Sequence, residues 1–305
     1  MKIRRAQKPL FATVVFSIIA LVAAGCGNGT ETSTGTSPTP AASPSGAVSA
    51  IAAQVPGSVK ANRTLTVAAD ATYAPNEFIG TDGHTVVGLD ADLAKALGQV
   101  LGLKVNVINA TFATIIPGLA SGKYDLGISS FTDTKEREKT VDFVTYFVAG
   151  TSFYVKSDGG PNVSSLAGLC GRTVAAEQGT TQQADAQAQA AKCKSAGKPG
   201  MTVQVFNDQN AVNLALSSGR AQVAMADSPV AAYQVKQSNG TFKVTGSPYG
   251  TAPYGIAIPK DNGMADPILA AVKHLMSVGT YTKILGKWGV QGGAISNPAI
   301  NAAIS

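Results

Sequence analysis

A twelve-residue passage, Leu119-Ala-Ser-Gly-Lys-Tyr-Asp-Leu-Gly-Ile-Ser-Ser130, is echoed by Leu216-Ser-Ser-Gly-Arg-Ala-Gln-Val-Ala-Met-Ala-Asp227. Both read as a helix end, a Ser-Gly-basic turn and an apolar strand, with the Gly as the expected left-handed helix terminator. Around both copies, short β-type runs alternate with helical ones. Strands are expected over 65–69, 104–108, 125–129, 173–176, 202–206 and 222–226, and helices over 90–101, 114–121, 180–191 and 210–218. Leu89, Leu93, Leu97 and Leu101 recur every fourth position and share one helix face. This alternation predicts parallel βαβ units in an α/β fold. The echo predicts two related units, although helix–Gly–strand joints also recur in any α/β protein. Ser130 and Asp227 hold the same place in both copies, the C-terminal end of a strand. Open α/β sheets bind ligands there, so two facing units would converge their polar groups on one cleft.

Three polar clusters fall at such positions. The first runs from Ser129 to Arg137, directly after an apolar strand. The second, Glu177-Gln-Gly-Thr-Thr-Gln182, joins a strand to an Ala/Gln-rich helix. Its Gly permits close backbone approach, and the free N–H groups of a first helical turn favour an anion. In the third, Asp227 ends a strand and Pro229 opens a helix. Taken singly these patterns are equally ordinary: Thr or Asp at a helix start is commonly a cap, and Arg137 reads as well as a surface charge.

The N-terminus carries four basic residues (Lys2, Arg4, Arg5, Lys8) before the uncharged stretch 10–24. That stretch is short for a membrane span and fits the apolar region of a secretion signal. Val22-Ala-Ala-Gly-Cys26 resembles a bacterial lipoprotein cleavage box, which predicts a signal peptide over 1–25 and lipidation of Cys26; Ala23 stands where the box usually has Leu. Without the signal, 20 basic residues face 18 acidic ones, so charge gives no case for nucleic-acid binding. Residues 27–56, rich in Thr, Ser, Pro, Gly and Ala, are expected to be a flexible tether, giving a linker over 26–59. After secretion, Cys170 and Cys193 are expected to form a disulfide. No metal or other cofactor is expected: the two histidines, His84 and His274, stand at no ligand spacing from a Cys.

Together the clusters resemble the extracellular solute-binding proteins of amino-acid ABC importers, the polar amino-acid family (solute-binding family 3). Asp70-Ala-Thr-Tyr73-Ala-Pro75 looks like the family's opening strand and loop, and Gly88-Leu-Asp90-Ala-Asp92-Leu93 is similar to its Gly-x-Asp-x-Asp-Leu helix start. Ser129 to Arg137 and Gly179-Thr-Thr-Gln182 follow in the family's order. The resemblance covers the chain from about residue 60 to its end.

It implies a two-lobed periplasmic-binding-protein clamp, the Venus flytrap, with two hinge strands near 149–153 and 246–252. Lobe 1 would comprise 60–151 plus 250–305, and lobe 2 would comprise 152–249. Arg137 would grip a ligand carboxylate with its planar fork, helped by the Ser130 and Thr181 N–H groups and the Thr132 hydroxyl, with Gln182 alongside. Asp227 would take the ammonium, and Tyr73 and Phe112 would sandwich the stem, although ordinary core packing explains either aromatic. Asp70 and Glu177 would lie near the ligand tip; facing it, they would favour lysine, arginine, ornithine or glutamine, and otherwise they point to solvent or pair with a basic neighbour. The implied partners are a permease and its ATPase, with a monomer lipid-anchored outside the membrane of a Gram-positive cell, or else in a periplasm. Two rival functions remain open: a dehydratase on the same fold, and a sensor that signals through a partner.

Overall fold

The computed structural model describes residues 44–304. The expected signal peptide, Cys26 and residues 27–43 of the expected tether lie outside the described residues.

The tether expectation fails at its C-terminal end. Helix α1 (Pro44–Gln54) packs against two helices of the first lobe, and Ile51 and Val55 are buried in that lobe's core. The reason is local: Ala-Val-Ser-Ala-Ile-Ala-Ala-Gln is a good helix former, and Ile51 and Val55, four apart, share a face. Helix α2 (Gly57–Asn62) follows and leads into the sheet.

Strand β1 (Thr64–Ala69) is followed by a small antiparallel sheet of β2 (Thr72–Tyr73), β3 (Glu77–Ile79) and β4 (Val86–Val87). Then come α3 (Leu89–Leu101), β5 (Lys104–Asn109), α4 (Phe112–Ala120), β6 (Leu126–Gly127) and the long β7 (Val141–Lys156). The second lobe contains β8 (Thr173–Glu177), α5 (Thr181–Ser195), β9 (Thr202–Phe206), α6 (Gln209–Ser217), β10 (Val223–Asp227) and α7 (Ser228–Gln237). The long β11 (Phe242–Pro259) returns to the first lobe, which α8 (Ala265–Ser277) and α9 (Thr280–Trp288) complete.

The main sheet has the order β5-β1-β6-β11-β7-β10-β8-β9. Its two flanks are parallel, as the alternation predicts: β1 pairs with β5 and β6, and β8 pairs with β9 and β10. Between them β7 and β11 form a long antiparallel ribbon. One end of the ribbon meets β6 (Ala257 opposite Gly127), and the other meets β10 (Thr151 opposite Asp227). The ribbon therefore belongs to both lobes. Its register slips between Thr245 and Tyr249 and again between Tyr249 and Ala252.

Leu89, Leu93, Leu97 and Leu101 point into the first lobe's core with Ile256, Ile258 and Tyr146. The second lobe is built around Val174, Val223, Met225, Phe153 and neighbours on one sheet face, and Tyr154, Leu216 and Val230 on the other. Cys170 and Cys193 form the expected disulfide, linking the chain before β8 to the last turn of α5. No helix among the described residues is long and apolar enough to cross a membrane.

Candidate ligand-binding site

The parallel strands of both lobes direct their C-terminal ends at one cavity. From the first lobe it is lined by Asp70, Tyr73, Glu77, Phe112, Ser130, Thr132 and Arg137. From the second come Glu177, Thr180, Thr181, Gln182 and Asp227. Every ligand-contacting residue expected from the sequence is present, and Glu77 and Thr180 join them. Thr180 is the N-cap of α5, its hydroxyl accepting the Gln183 N–H at 3.1 Å.

Arg137 is the cavity's cation. The residue as a whole is half-buried, but its guanidinium is enclosed by protein, which pulls its pKa down to about 10 against a raising influence from nearby Asp227. The guanidinium lies over the rings of Phe112 and Phe131, 5.4 and 5.5 Å from their centroids. Nη1 donates to the Thr132 carbonyl at 2.7 Å, and Nη2 crosses to the second lobe's Gly179 carbonyl at 3.0 Å. Among the described residues no carboxylate comes within 4.0 Å of it. The first-turn N–H groups of Thr181 and Gln182 cannot be met within α5 and stand at the same cavity.

Asp227 is buried, which raises its pKa, while hydrogen bonds and Arg137 pull it back. Gln182 donates from Nε2 to Asp227 Oδ1 at 2.8 Å and to Thr151 Oγ1 at 2.9 Å. Gln182 thus fixes the carboxylate's orientation.

Asp70 and Glu177, from opposite lobes, face each other. Asp70 accepts from the Thr72 hydroxyl at 2.6 Å and the Phe112 N–H at 2.8 Å, and it hydrogen-bonds Glu177. Glu177 Oε1 is buried with no partner among the described residues. Burial raises the pKa of both; Asp70 raises Glu177's further through repulsion and their shared hydrogen bond, which in turn lowers that of Asp70. Two carboxyls so close cannot both ionise cheaply. Both line the cavity, and among the described residues neither points to solvent nor pairs with a basic neighbour.

One expected role is corrected. The Ser130 N–H is not free for a ligand, because it donates to Asp90 Oδ2 at 2.7 Å. The Ser130 hydroxyl is engaged as well, with Asn76 Nδ2 at 2.9 Å and Glu77 Oε2 at 3.2 Å. Ser130 sits at φ +50°, and its carbonyl accepts no backbone hydrogen bond among the described residues. Asp90, read from sequence only as part of a helix start, and Glu77 were not legible as site residues. They reach Ser130 across 40 and 53 residues of chain, a separation that no local pattern reports.

The lobes are in contact. The Tyr73 hydroxyl accepts the Asp227 N–H at 2.9 Å, and the Thr72 hydroxyl accepts the Gln209 N–H at 3.1 Å. Phe112 stacks on Phe131, with centroids 4.5 Å apart, and the Arg137 guanidinium lies alongside the pair. Gly179, at φ +80°, lies so close to Ala113 that an added Cβ would stand 3.1 Å from the Ala113 Cα and Cβ. The protein is in a closed form.

The sequence profile of the bacterial extracellular solute-binding proteins, family 3, matches residues 65–291. The chain belongs to this family. Among curated relatives, the arginine-binding protein ArgT of Corynebacterium glutamicum is 32% identical over 252 residues, covering 82% of both chains. The ABC transporter arginine-binding protein 1 of Escherichia coli K12 is 34% identical over 224 residues, 72% of this chain and 87% of its own. Among solved structures, an ancestral arginine-binding protein bound to arginine superposes with a TM-score of 0.68 at 38% identity, covering 74% of this chain and 97% of its own. Membership of family 3 agrees with the two-lobed frame and with a closed cleft lined by polar strand ends.

Proposed function

We propose that this family 3 protein captures a free L-amino acid with a cationic side chain, arginine foremost, and delivers it to the permease and ATPase of a membrane importer. The observation that carries the reading is the order of charge in the cleft. Among the described residues Arg137 is a cation without a carboxylate partner, Asp227 is the acid that acts on it most, and Asp70 and Glu177 pair with one another beyond. A basic amino acid presents the complementary series of carboxylate, ammonium and cationic tip.

In this reading the ligand carboxylate takes the free N–H groups of Arg137, the Thr132 hydroxyl and the first turn of α5 at Thr181. The ammonium sits between Asp227 and the Ser130 carbonyl, and the stem lies between Tyr73 and Phe112. The tip satisfies Glu177 Oε1 and Asp70. The names of the relatives, two of them arginine-binding proteins, support the same ligand class and a binding protein in place of an enzyme.

Arg137 and Asp70 lie in one lobe and Asp227 and Glu177 in the other, so a ligand that bridges them favours the closed population. The hinges of this clamp are assigned to 149–153 and 246–252, where the ribbon's register slips. Lobe 1 then takes in α1 as well as 60–151 and 250–305, and lobe 2 is 152–249. The signal over 1–25 and the box at Cys26 support an exported monomer held by lipid at the outer face of the cell membrane.

The test is to unfold the purified protein, remove any carried ligand, refold it and titrate it calorimetrically with the proteinogenic amino acids, ornithine and citrulline. Tight binding of arginine, lysine or ornithine is expected. Binding confined to neutral or acidic amino acids would end the assignment of Asp70 and Glu177 to the ligand tip.

A further inference from the structure

Behind the ligand cavity lies a second pair of carboxyls that the proposed contacts leave unused. Glu77 and Asp90 are both fully buried, and their carboxyl groups hydrogen-bond one another. Among the described residues no cation pairs with either of them. The titratable groups that face the pair are Asp70 from the end of β1, Tyr73 from β2 and Tyr146 from β7. Tyr146 donates its hydroxyl to Asp90 Oδ1 at 2.7 Å. The Ser129 hydroxyl lies 3.0 Å from Glu77 Oε1 and also accepts the Asp70 N–H at 2.8 Å.

Two carboxyls in hydrogen-bonding contact, shielded from water and from any cation, are stable only with one proton between them. Burial raises the pKa of Asp90 to about 6 against the hydrogen bonds from Tyr146, Ser130 and Glu77 that lower it, whereas burial together with repulsion from Asp90 holds Glu77 well above its ordinary range, which puts the proton on Glu77. Asp90 is then the acceptor for Tyr146, the Ser130 N–H and the Glu77 acid.

Ser130 is where this cluster meets the cleft. A non-glycine residue at φ +50° persists only when its surroundings over-determine it. Here Asp90 holds its N–H, while Asn76 and Glu77 hold its hydroxyl. Gly88, at φ +130°, lets the Asn76 backbone press against the start of α3, where a side chain would collide with the Asn76 carbonyl. That contact brings Glu77 and Asp90 together.

We infer that Glu77 is a positioning residue for ligand capture: as the protonated partner of Asp90 it fixes the left-handed turn at Ser130 and aims the Ser130 carbonyl into the cleft. The inference rests on the proposed reading of the cleft for its ligand readout only, since the proton-sharing pair is testable without ligand.

Glu77→Gln keeps a donor to Asp90 and an acceptor for the serines without carrying a titrating proton. Calorimetric titration with L-arginine near neutral pH should give a dissociation constant within about threefold of the unsubstituted protein. Glu77→Leu, which cannot bond Asp90 or Ser130, should weaken arginine by more than about tenfold. Ligand-free thermal unfolding gives an independent readout. A carboxyl whose folded pKa is raised contributes stability that is full below its unfolded pKa and is lost as pH rises toward the folded one. The unsubstituted protein should therefore lose ground against Glu77→Gln as pH rises above the ordinary carboxylate range. Glu77→Leu binding arginine like the unsubstituted protein, or a melting gap to Glu77→Gln that does not change with pH, would overturn the inference. If Glu77→Leu does not fold, the melting gap decides alone. If the unsubstituted protein does not bind arginine, the proposed ligand falls and the ligand-free gap still decides the role of Glu77.

Discussion

Replacing Arg137 with Ala removes the cleft's cation while sparing the core beneath it. In the closed protein the guanidinium gives one donor to the Thr132 carbonyl and one to Gly179 of the opposite lobe. A guanidinium has five donors, so a fork remains for the ligand carboxylate. Two charge-assisted bonds at about 1.5–3 kcal/mol each set the scale. Truncating one member of an enclosed charge pair typically costs about 2–5 kcal/mol. A loss of about 3–5 kcal/mol follows, equivalent to roughly two to nearly four orders of magnitude in dissociation constant. Arg137→Lys keeps the charge but not the planar fork and should fall between the two. The assay is calorimetric titration with L-arginine, with thermal unfolding to establish that each variant is folded. Because Arg137 also links the lobes through Gly179, small-angle scattering should show less closure on adding ligand. A loss under tenfold in a folded Arg137→Ala variant would refute the role given to the guanidinium.

Other consequences are equally direct. In the empty cleft burial holds the pKa of Asp70 and Glu177 above the ordinary carboxylate range, whereas a cationic tip favours their ionised forms. Arginine binding should therefore expel protons and weaken as pH falls toward the ordinary carboxylate range, read by calorimetry in buffers of different ionisation heat; glutamine should show a smaller effect. Gly179→Ala places a Cβ at φ +80° and 3.1 Å from Ala113 across the lobe contact, so it should weaken arginine by about tenfold and also lower the unfolding temperature through backbone strain. The double substitution Ile51→Ala, Val55→Ala should destabilise the protein by about 2–5 kcal/mol in chemical unfolding, whereas a tether without contacts would leave stability unchanged.

The alternation of strands and helices was legible because each element carries its own period: the leucines of α3 recur every fourth position, and the strands are short apolar runs. The strand ends that carry Ser130 and Asp227 were legible from the echo, and both line the cavity. Helix α1 was not, because its one buried face rests on Ile51 and Val55 and is diluted by the Ser, Thr and Pro around it. The engagement of the Ser130 N–H was also hidden. Its acceptor is Asp90, on a helix 40 residues earlier, and only the folded chain brings the two together. Glu77 was missed for the same reason: its neighbours Asn76 and Phe78 give no sign of the serines that its carboxyl meets.

The most direct measurement of the central claim is the ratio of arginine to citrulline affinities in the ligand-free protein. The two ligands share stem, carboxylate and ammonium and differ in the charge of the tip, which faces Asp70 and Glu177 in the proposed pose. With those carboxyls at the tip, arginine should bind at least about thirtyfold more tightly, the value of a desolvated charge-assisted contact over a neutral one. Equal affinities, or a preference for citrulline, would contradict the account.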